Sequence, residues 1–451
     1  MRVLPLLLIL ALMETAFGAN TPSNVTFNKD ILPILQKNCQ DCHRPGETAP
    51  MSLLTYNEAR PWAKAMKEAV LIKRMPPWFA DPHFGKFINE RRLTGEEIQK
   101  LASWADQGAP EGNAKDRPAP REFVDGWNIG KPDVTFEIPM DHPVEATGTI
   151  EYTYFVIPSG FTEDKWVQLA EVRPGNRAVV HHVIAFIREP GSKWLQEAKV
   201  GEPYIPKRRA RTEEPRVEGT RPAGGEESGG RGTGQLLVGF APGMQPARLR
   251  PGQARLVKAG SDIIFQMHYT ASGKAATDRT RIGLVFAKEP VTERILTTGA
   301  TNARFVIPAG AANHEVESGF TVREDVRLIS FMPHMHLRGK DFEYRLLYPT
   351  GERQTILRVP KYDFNWQLFY YLADPLLLPK NTKIECTAHF DNSPNNPANP
   401  DPSKEVRWGD QSWEEMMIGW FEVAMDPKMD PAKIFRAPRA EPVSQNAGAT
   451  R

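Results

Sequence analysis

The run Cys39-Gln40-Asp41-Cys42-His43 narrows what the N-terminal part of this chain can be more than any other feature. Two thiols three positions apart on one turn can add to the two vinyl groups of a haem, and the adjacent histidine is then held beneath the iron. A thioredoxin-like use of C-x-x-C would need a βαβ setting, and a zinc site would need a second ligand pair. Neither is present in the sequence around it. The expectation is one covalent haem c, attached through Cys39 and Cys42 with His43 as an axial ligand. Short helices should frame it. Thr26 or Asn28 can cap a helix running toward Asn38. Thr55-Tyr56-Asn57-Glu58 and Thr94-Gly95-Glu96-Glu97 both fit the capping box. The first precedes a helical pattern over 59–72. The second precedes a stripe of Ile98, Leu101, Ala102 and Ala105 with Trp104 alongside, ending at Gly108.

A second axial ligand is expected in Arg74-Met75-Pro76-Pro77-Trp78, where Met75 lies in a proline-stiffened loop. A thioether there would raise the haem potential. This region resembles small class I cytochromes c, whose distal methionine lies in such a loop, and Met75 matches it. Met51 and His83 are the alternative ligands.

The N-terminus carries Arg2 and then a run of about eleven apolar residues from Val3 to Met13, followed by small residues up to Ala19. That is too short to span a bilayer and has the form of a cleavable secretory signal over 1–18. Export to the periplasm or outside the cell is therefore expected, with no stable transmembrane anchor. With only 3 cysteines, and two of them in the C-x-x-C-H run, no disulfide framework is possible, and Cys386 should be a buried, unpaired thiol. The net charge of +2 gives no clustered basic face of the kind that binds nucleic acid.

Beyond the expected helical domain at 19–112, residues 113–125 are polar and proline-bearing, as a linker should be. From there β-branched and aromatic runs alternate with Gly/Pro turns, as at 152–158, 179–187, 262–270, 326–331 and 418–423. The 40 prolines and 34 glycines fit this pattern better than a helical one. The expected fold is a small all-α domain followed by two all-β sandwich domains, at 126–290 and 291–436. The stretch 199–235, rich in Gly, Arg, Glu and Pro, reads as a poorly ordered insertion, and 437–451 as a disordered tail.

The histidines are unevenly placed. Apart from His43, six of the 10 fall in four places, His181-His182, His268, His334-Met335-His336 and His389. A His-x-His on a strand puts both imidazoles on one face, about 7 Å apart, which can grip a metal from a rigid sheet. Adjacent histidines point to opposite faces. His181 and His182 can share a metal only at a strand end or bulge, or through different ring nitrogens. His389 is expected to be structural, and His83, His142 and His314 surface or loop residues.

The ordered runs Val180-His181-His182-Val183, Gln266-Met267-His268-Tyr269, Pro333-His334-Met335-His336-Leu337 and Glu414-Glu415-Met416-Met417 resemble the type II copper monooxygenases, the ascorbate-dependent family of peptidylglycine α-hydroxylating and dopamine β-monooxygenases. The resemblance covers about residues 130 to 430. It implies jelly-roll-like sandwiches holding two coppers. His181, His182 and His268 would hold the electron-transfer copper, and His334, His336 and Met416 the catalytic, oxygen-binding one. A thioether ligand favours the cuprous state. Met417, Met332 and Met335 are alternatives to Met416. Two positions depart from the peptide-amidating members. Met332 stands where they have a substrate-binding arginine, and Trp420 where they have a tyrosine. Together with the missing disulfides this argues against peptide amidation.

The expectation is a haem- and copper-containing monooxygenase that hydroxylates an organic substrate with O2. Electrons would come from a redox protein or small reductant through the haem. The rival is a non-catalytic electron-transfer or copper-binding protein. Zinc hydrolysis is disfavoured by the thioether.

Overall fold

The computed structural model describes residues 24–435 apart from Thr48, Asp125 and 207–233. The expected signal at 1–18, the tail from 437 and the central part of the 199–235 insertion lie outside the described residues. The chain divides into two compact units. Among the described residues, the first comprises those up to Pro45, Ala49–Pro76 and Leu93–Arg121; the second comprises Gly46 and Glu47, Pro77–Arg92 and those from Glu122 onward.

Helices build the first unit. A turn of π-helix, Phe27–Ile31, runs into the helix Leu32–Asn38. Thr26 is the residue before it but makes no side-chain cap, and the Asp30 carboxylate instead accepts from the Thr26 backbone N–H at 3.0 Å. Both capping boxes form, Thr55 with Glu58 and Thr94 with Glu97. The expected 59–72 helix is divided. Tyr56–Ala59 gives way to a short 3-10 turn at Arg60–Trp62 before Ala63–Leu71, because Pro61 offers no amide hydrogen and favours only the first turn of a helix. Gly95–Asp106 buries Leu101, Trp104 and Ala105, the face its apolar spacing predicts. These side chains meet Phe27, Ile31, Leu35 and Leu53 in one core. Much of the expected 113–125 linker belongs to this unit. Arg117 Nε donates to Asn28 Oδ1 at 3.0 Å, and Gln36 Nε2 donates to the Ala119 carbonyl at 2.8 Å.

The second unit is mostly antiparallel β-sheet, in several sheets. One four-stranded sheet contains Thr153–Pro158, Asp262–Tyr269, Val180–Arg188 and Gln235–Phe240 in that spatial order. Another contains His314–Thr321, Lys383–Phe390, Gly339–Leu347 and Arg353–Val359. A nine-stranded sheet runs from Val134–Glu137 to Tyr370–Leu378 and includes Val326–His334 beside Ile418–Met425. Two large apolar cores lie in this unit. One is built around Phe155, Val183, Ile263 and Phe265, the other around Phe331, Phe342, Tyr344 and Phe421. Val326–His334 and Ile418–Met425 are buried almost throughout, whereas some strands alternate buried and less buried residues because successive side chains leave a sheet on opposite faces. Lys383–Phe390, with Ile384, Cys386, Ala388 and Phe390 all buried, is the clearest case.

Two boundaries differ from expectation. Residues 77–92, placed in the helical domain by their position, group with the β-rich unit. Phe87 bridges to Leu372, and Ile88 N donates to the Tyr371 carbonyl at 2.9 Å. At the start of the insertion, Val200 and Tyr204 form bridges to Val156 and Tyr154 of the strand Thr153–Pro158, so 199–206 is ordered by backbone pairing rather than loose.

Candidate metal centre

His182 lies on the strand Val180–Arg188 directly opposite His268 of Asp262–Tyr269. The register slips by one residue between Val180 and His182, leaving His181 as the extra residue of a bulge. A bulge re-aims the inserted side chain, and here it brings two adjacent histidines to one place. His181 Nδ1 lies 3.1 Å from His182 Nδ1, which lies 3.2 Å from His268 Nδ1. All three use the same ring nitrogen, so the bulge alone resolves the alternation problem. Two nitrogens about 2.0 Å from one ion at a near-tetrahedral angle are about 3.3 Å apart. The donor set fits a metal that accepts imidazole, copper included.

Burial sets the protonation state of this group. It lowers all three imidazoles, His268 to about 3 and His182 well below the usual value, with the neighbouring histidines adding to the shift. The rings are therefore neutral at physiological pH, the form that ligates a metal. Tyr152 packs edge-on against both His268 and His182, at ring separations of 4.7 and 5.5 Å.

His334 is the last residue of the strand Val326–His334, and His336 lies just beyond it. The pair therefore straddles a strand end instead of lying within a regular strand as expected, and the rings approach to 5.2 Å at right angles. His334 Nδ1 is 2.7 Å from Gln367 Oε1, and His336 Nδ1 is 3.2 Å from the Glu414 carbonyl. The Gln367 acceptor fixes the proton of His334 on Nδ1 and leaves its Nε2 as the lone-pair nitrogen, the arrangement that orients a ligand histidine, while the His336 ring also hydrogen-bonds the Gln411 backbone. Burial lowers His334 to about 4 and His336 well below the usual value.

The methionine alternatives divide by environment. Met417 and Met335 are fully buried in the apolar core, and Met332 is buried on the strand opposite Trp420. Met416 is half-buried and outside that core. Its neighbour Glu415 has a fully buried carboxylate that accepts from the backbone N–H groups of His336 at 2.8 Å and Arg338 at 2.6 Å. Burial pushes Glu415 up to about 8, against those donors and the Arg338 guanidinium, which hold it down. Arg338 is anchored in turn by the Trp413 carbonyl and Asn392. The acidic pair before Met416 thus ties the methionine loop to the His334–His336 segment, a role that sequence spacing did not reveal.

Both histidine groups lie in the second unit, and one phenyl ring touches both. Phe364 stacks on His181 at 5.4 Å and 18°, and meets the His336 ring at 5.9 Å and 79°. Neither Phe364 nor Gln367 carries a sequence signal; each is an ordinary residue in a loop far along the chain. His389 uses both ring nitrogens on carboxylates, with Nδ1 2.8 Å from Asp341 and Nε2 3.2 Å from Glu315. His142, expected at the surface or in a loop, begins the strand His142–Val144, is half-buried and stacks on Tyr269 at 5.1 Å.

In the first unit, the backbone N–H groups of Cys42 and His43 both donate to the Cys39 carbonyl, at 3.1 and 3.0 Å. This places both thiols and the imidazole on one turn. Neither thiol is in a disulfide. Burial pushes Cys39 up to about 12 and lowers His43. His43 Nδ1 is 3.3 Å from the Met51 carbonyl, which leaves Nε2 for an axial bond. Two thiols outside any disulfide, beside an oriented imidazole, fit covalent haem. Met75 is half-buried just past the helix Ala63–Leu71, its N–H donating to the Ala69 carbonyl at 3.2 Å. Met51 packs against the helical core, and His83 belongs to the second unit, with its Nδ1 2.6 Å from Asp81.

Among the described residues, no helix is long and apolar enough to cross a membrane. No family model matches the chain, and no curated protein matches it. Solved structures align with it only loosely. The structure of PNGF-II is 9% identical, covering 65% of this chain and 65% of that chain, a little under two thirds of its length, with a TM-score of 0.26. The infectious bursal disease virus VP2 subviral particle is 8% identical over 68% of this chain and 74% of that chain, with a TM-score of 0.16. Likeness at this level carries no argument about fold or function.

Proposed function

We propose that this chain is an exported haem- and copper-containing oxidoreductase, a copper-dependent monooxygenase that hydroxylates an organic substrate with electrons entering through a c-type haem. One observation carries the reading. Three neutral imidazoles, His181, His182 and His268, converge through Nδ1, and the same phenyl ring that stacks on His181 touches His336 of a second buried histidine pair. In this reading His181, His182 and His268 hold the electron-transfer copper, and His334, His336 and Met416 the oxygen-binding one. Cys39 and Cys42 carry the haem, with His43 and Met75 as its axial ligands.

Bound in these places, copper would supply one-electron and oxygen chemistry, and haem one-electron transfer. The residues of the chain orient and protect. The bulge at His181 gathers three nitrogens. Gln367 fixes the tautomer of His334, and the Glu414 carbonyl holds the His336 ring in place. Burial excludes water and keeps the imidazoles unprotonated. Reading the helical unit as cytochrome-like and the sheets as two jelly-roll-like domains belongs to the same proposal. So do the periplasmic or secreted location, the organic substrate and O2, and the redox partner.

The test is haem and metal content per chain after expression with export and haem maturation intact. One haem and two coppers are expected. Copper should fall in His182→Ala and in His334→Ala and stay unchanged in His389→Ala, whose ring nitrogens already face carboxylates. A chain without stoichiometric copper would sink the proposal.

A second reading, an electron-transfer or copper-binding protein without hydroxylase activity, is favoured by Phe364, which occupies space between the two groups. Oxygen uptake coupled to a hydroxylated product separates the two readings.

A further inference from the structure

The segment 363–367 lies between the strands Arg353–Val359 and Tyr370–Leu378 and contributes none of the nitrogens discussed above. It nevertheless reaches four of the five histidines. Phe364 stacks on His181, lies 6.5 Å from the His268 ring and packs edge-on against His336. The Asn365 side chain hydrogen-bonds His181. Gln367 accepts from His334 at 2.7 Å, is itself only 6% exposed, and has a buried Nε2 with no partner among the described residues. The segment is internally braced. The Asp363 carboxylate accepts from the Asn365 backbone and side-chain N–H groups, both at 3.0 Å, and the Asp363 carbonyl accepts from Trp366 N.

We propose that segment 363–367 joins the two histidine sets into one cooperative metal-binding unit, so that loading either set raises the affinity of the other. The inference rests on the reading that both sets bind metal. Fixing a ligand ring removes its rotamer freedom, and with it the freedom of whatever packs on that ring. A metal held by His181, His182 and His268 immobilises His181, and through it Phe364 and Asn365. Those residues and Gln367 on the same short segment then present His336 and His334 already ordered, so the second ion meets a smaller entropic cost. Linkage requires the effect to be equal in both directions.

The test uses the full-length, haem-loaded chain stripped of copper, with cuprous ion as the probe, titrated against a competing chelator whose absorbance reports free metal. His336→Ala leaves the His181–His182–His268 set alone, and His182→Ala leaves the other. Each isolated set should bind cuprous ion more weakly than it does in the wild-type chain, by about five-fold or more and by the same factor. Phe364→Ala should bring the wild-type titration to that of two independent sets. Phe364→Leu keeps most of the apolar volume but loses the flat ring, and should do so in part. Asn365→Ala probes the His181 contact separately, and circular dichroism of each variant checks folding. Copper at both sets with affinities unchanged by loss of the other, or coupling that survives in Phe364→Ala, would overturn the proposal and leave the two-copper reading intact. No cuprous binding at either set would remove both.

Discussion

Gln367 and His334 form a buried pair across more than thirty residues of sequence, with Gln367 Oε1 2.7 Å from His334 Nδ1. The bond fixes the Nδ1–H tautomer, so only Nε2 is available as a ligand. Gln367→Leu should weaken metal binding at His334 and His336 by about 10–100-fold. It should also lower stability by about 1–3 kcal/mol, because the His334 Nδ1–H loses its acceptor while staying buried. Gln367→Glu keeps an acceptor and should recover much of the affinity. Metal competition titrations and urea unfolding measure the two effects. Unchanged affinity in the leucine variant would show that Gln367 does not orient this imidazole.

A second buried pair, Arg255 with Glu422, links the strand Gln253–Val257 to Ile418–Met425, and Thr297 and Ser330 also contact the Glu422 carboxylate. Removing one member strands a buried charge. Glu422→Leu or Arg255→Met should each cost about 3–5 kcal/mol. The double variant should be less destabilised than the sum of the two, since neither charge then remains unpaired. Chemical denaturation of the three variants gives the comparison, and additive losses would argue against a direct pair.

His142 stacks on Tyr269 and meets Phe155 edge-on, and its Nδ1 is buried without a partner among the described residues. Burial holds its pKa below the ordinary 6.5. The unfolded chain therefore takes up a proton at a pH where the folded chain does not. Stability from this residue is full above about pH 6.5 and is lost as pH falls below it, by up to about 1.4 kcal/mol per pH unit, until the folded-state pKa is reached. In the metal-free chain the five lowered histidines of the candidate centre act in the same direction. His142→Phe should flatten the decline between pH 7 and 5, measured by denaturation midpoints. An unchanged profile would show that the ring is protonated in the folded state.

Counting thiols tests the haem assignment without any spectrum. Cys386 is buried, and burial pushes its thiol up, so it should be inert to a thiol reagent in the native chain. If Cys39 and Cys42 are thioethers to haem, a denatured sample should show one reactive thiol per chain. Three would mean that no covalent haem is attached.

Local chemistry was legible from the residues alone. The capping boxes at Thr55 and Thr94 are contained in four residues each, and both form. Runs of β-branched and aromatic residues between Gly/Pro turns mark strands. The runs read at 262–270, 326–331 and 418–423 correspond to Asp262–Tyr269, Val326–His334 and Ile418–Met425. The grouping of His181, His182 and His268 follows from the resemblance to the copper monooxygenases and not from their spacing, and their Nδ1 atoms lie together in the fold. The tertiary structure decided what depends on register and on distant partners. The bulge that turns His181 beside His182 is a one-residue slip between strands, which no pattern within either strand encodes. Phe364 and Gln367 are ordinary in sequence, and acquire their roles only because the loop bearing them folds back over the histidines. Glu415 likewise looks like any acidic residue until burial leaves its carboxylate against the His336 and Arg338 amides. Composition and periodicity specify which face of an element is apolar; which loop closes over a site is fixed by the packing of the whole sheet assembly.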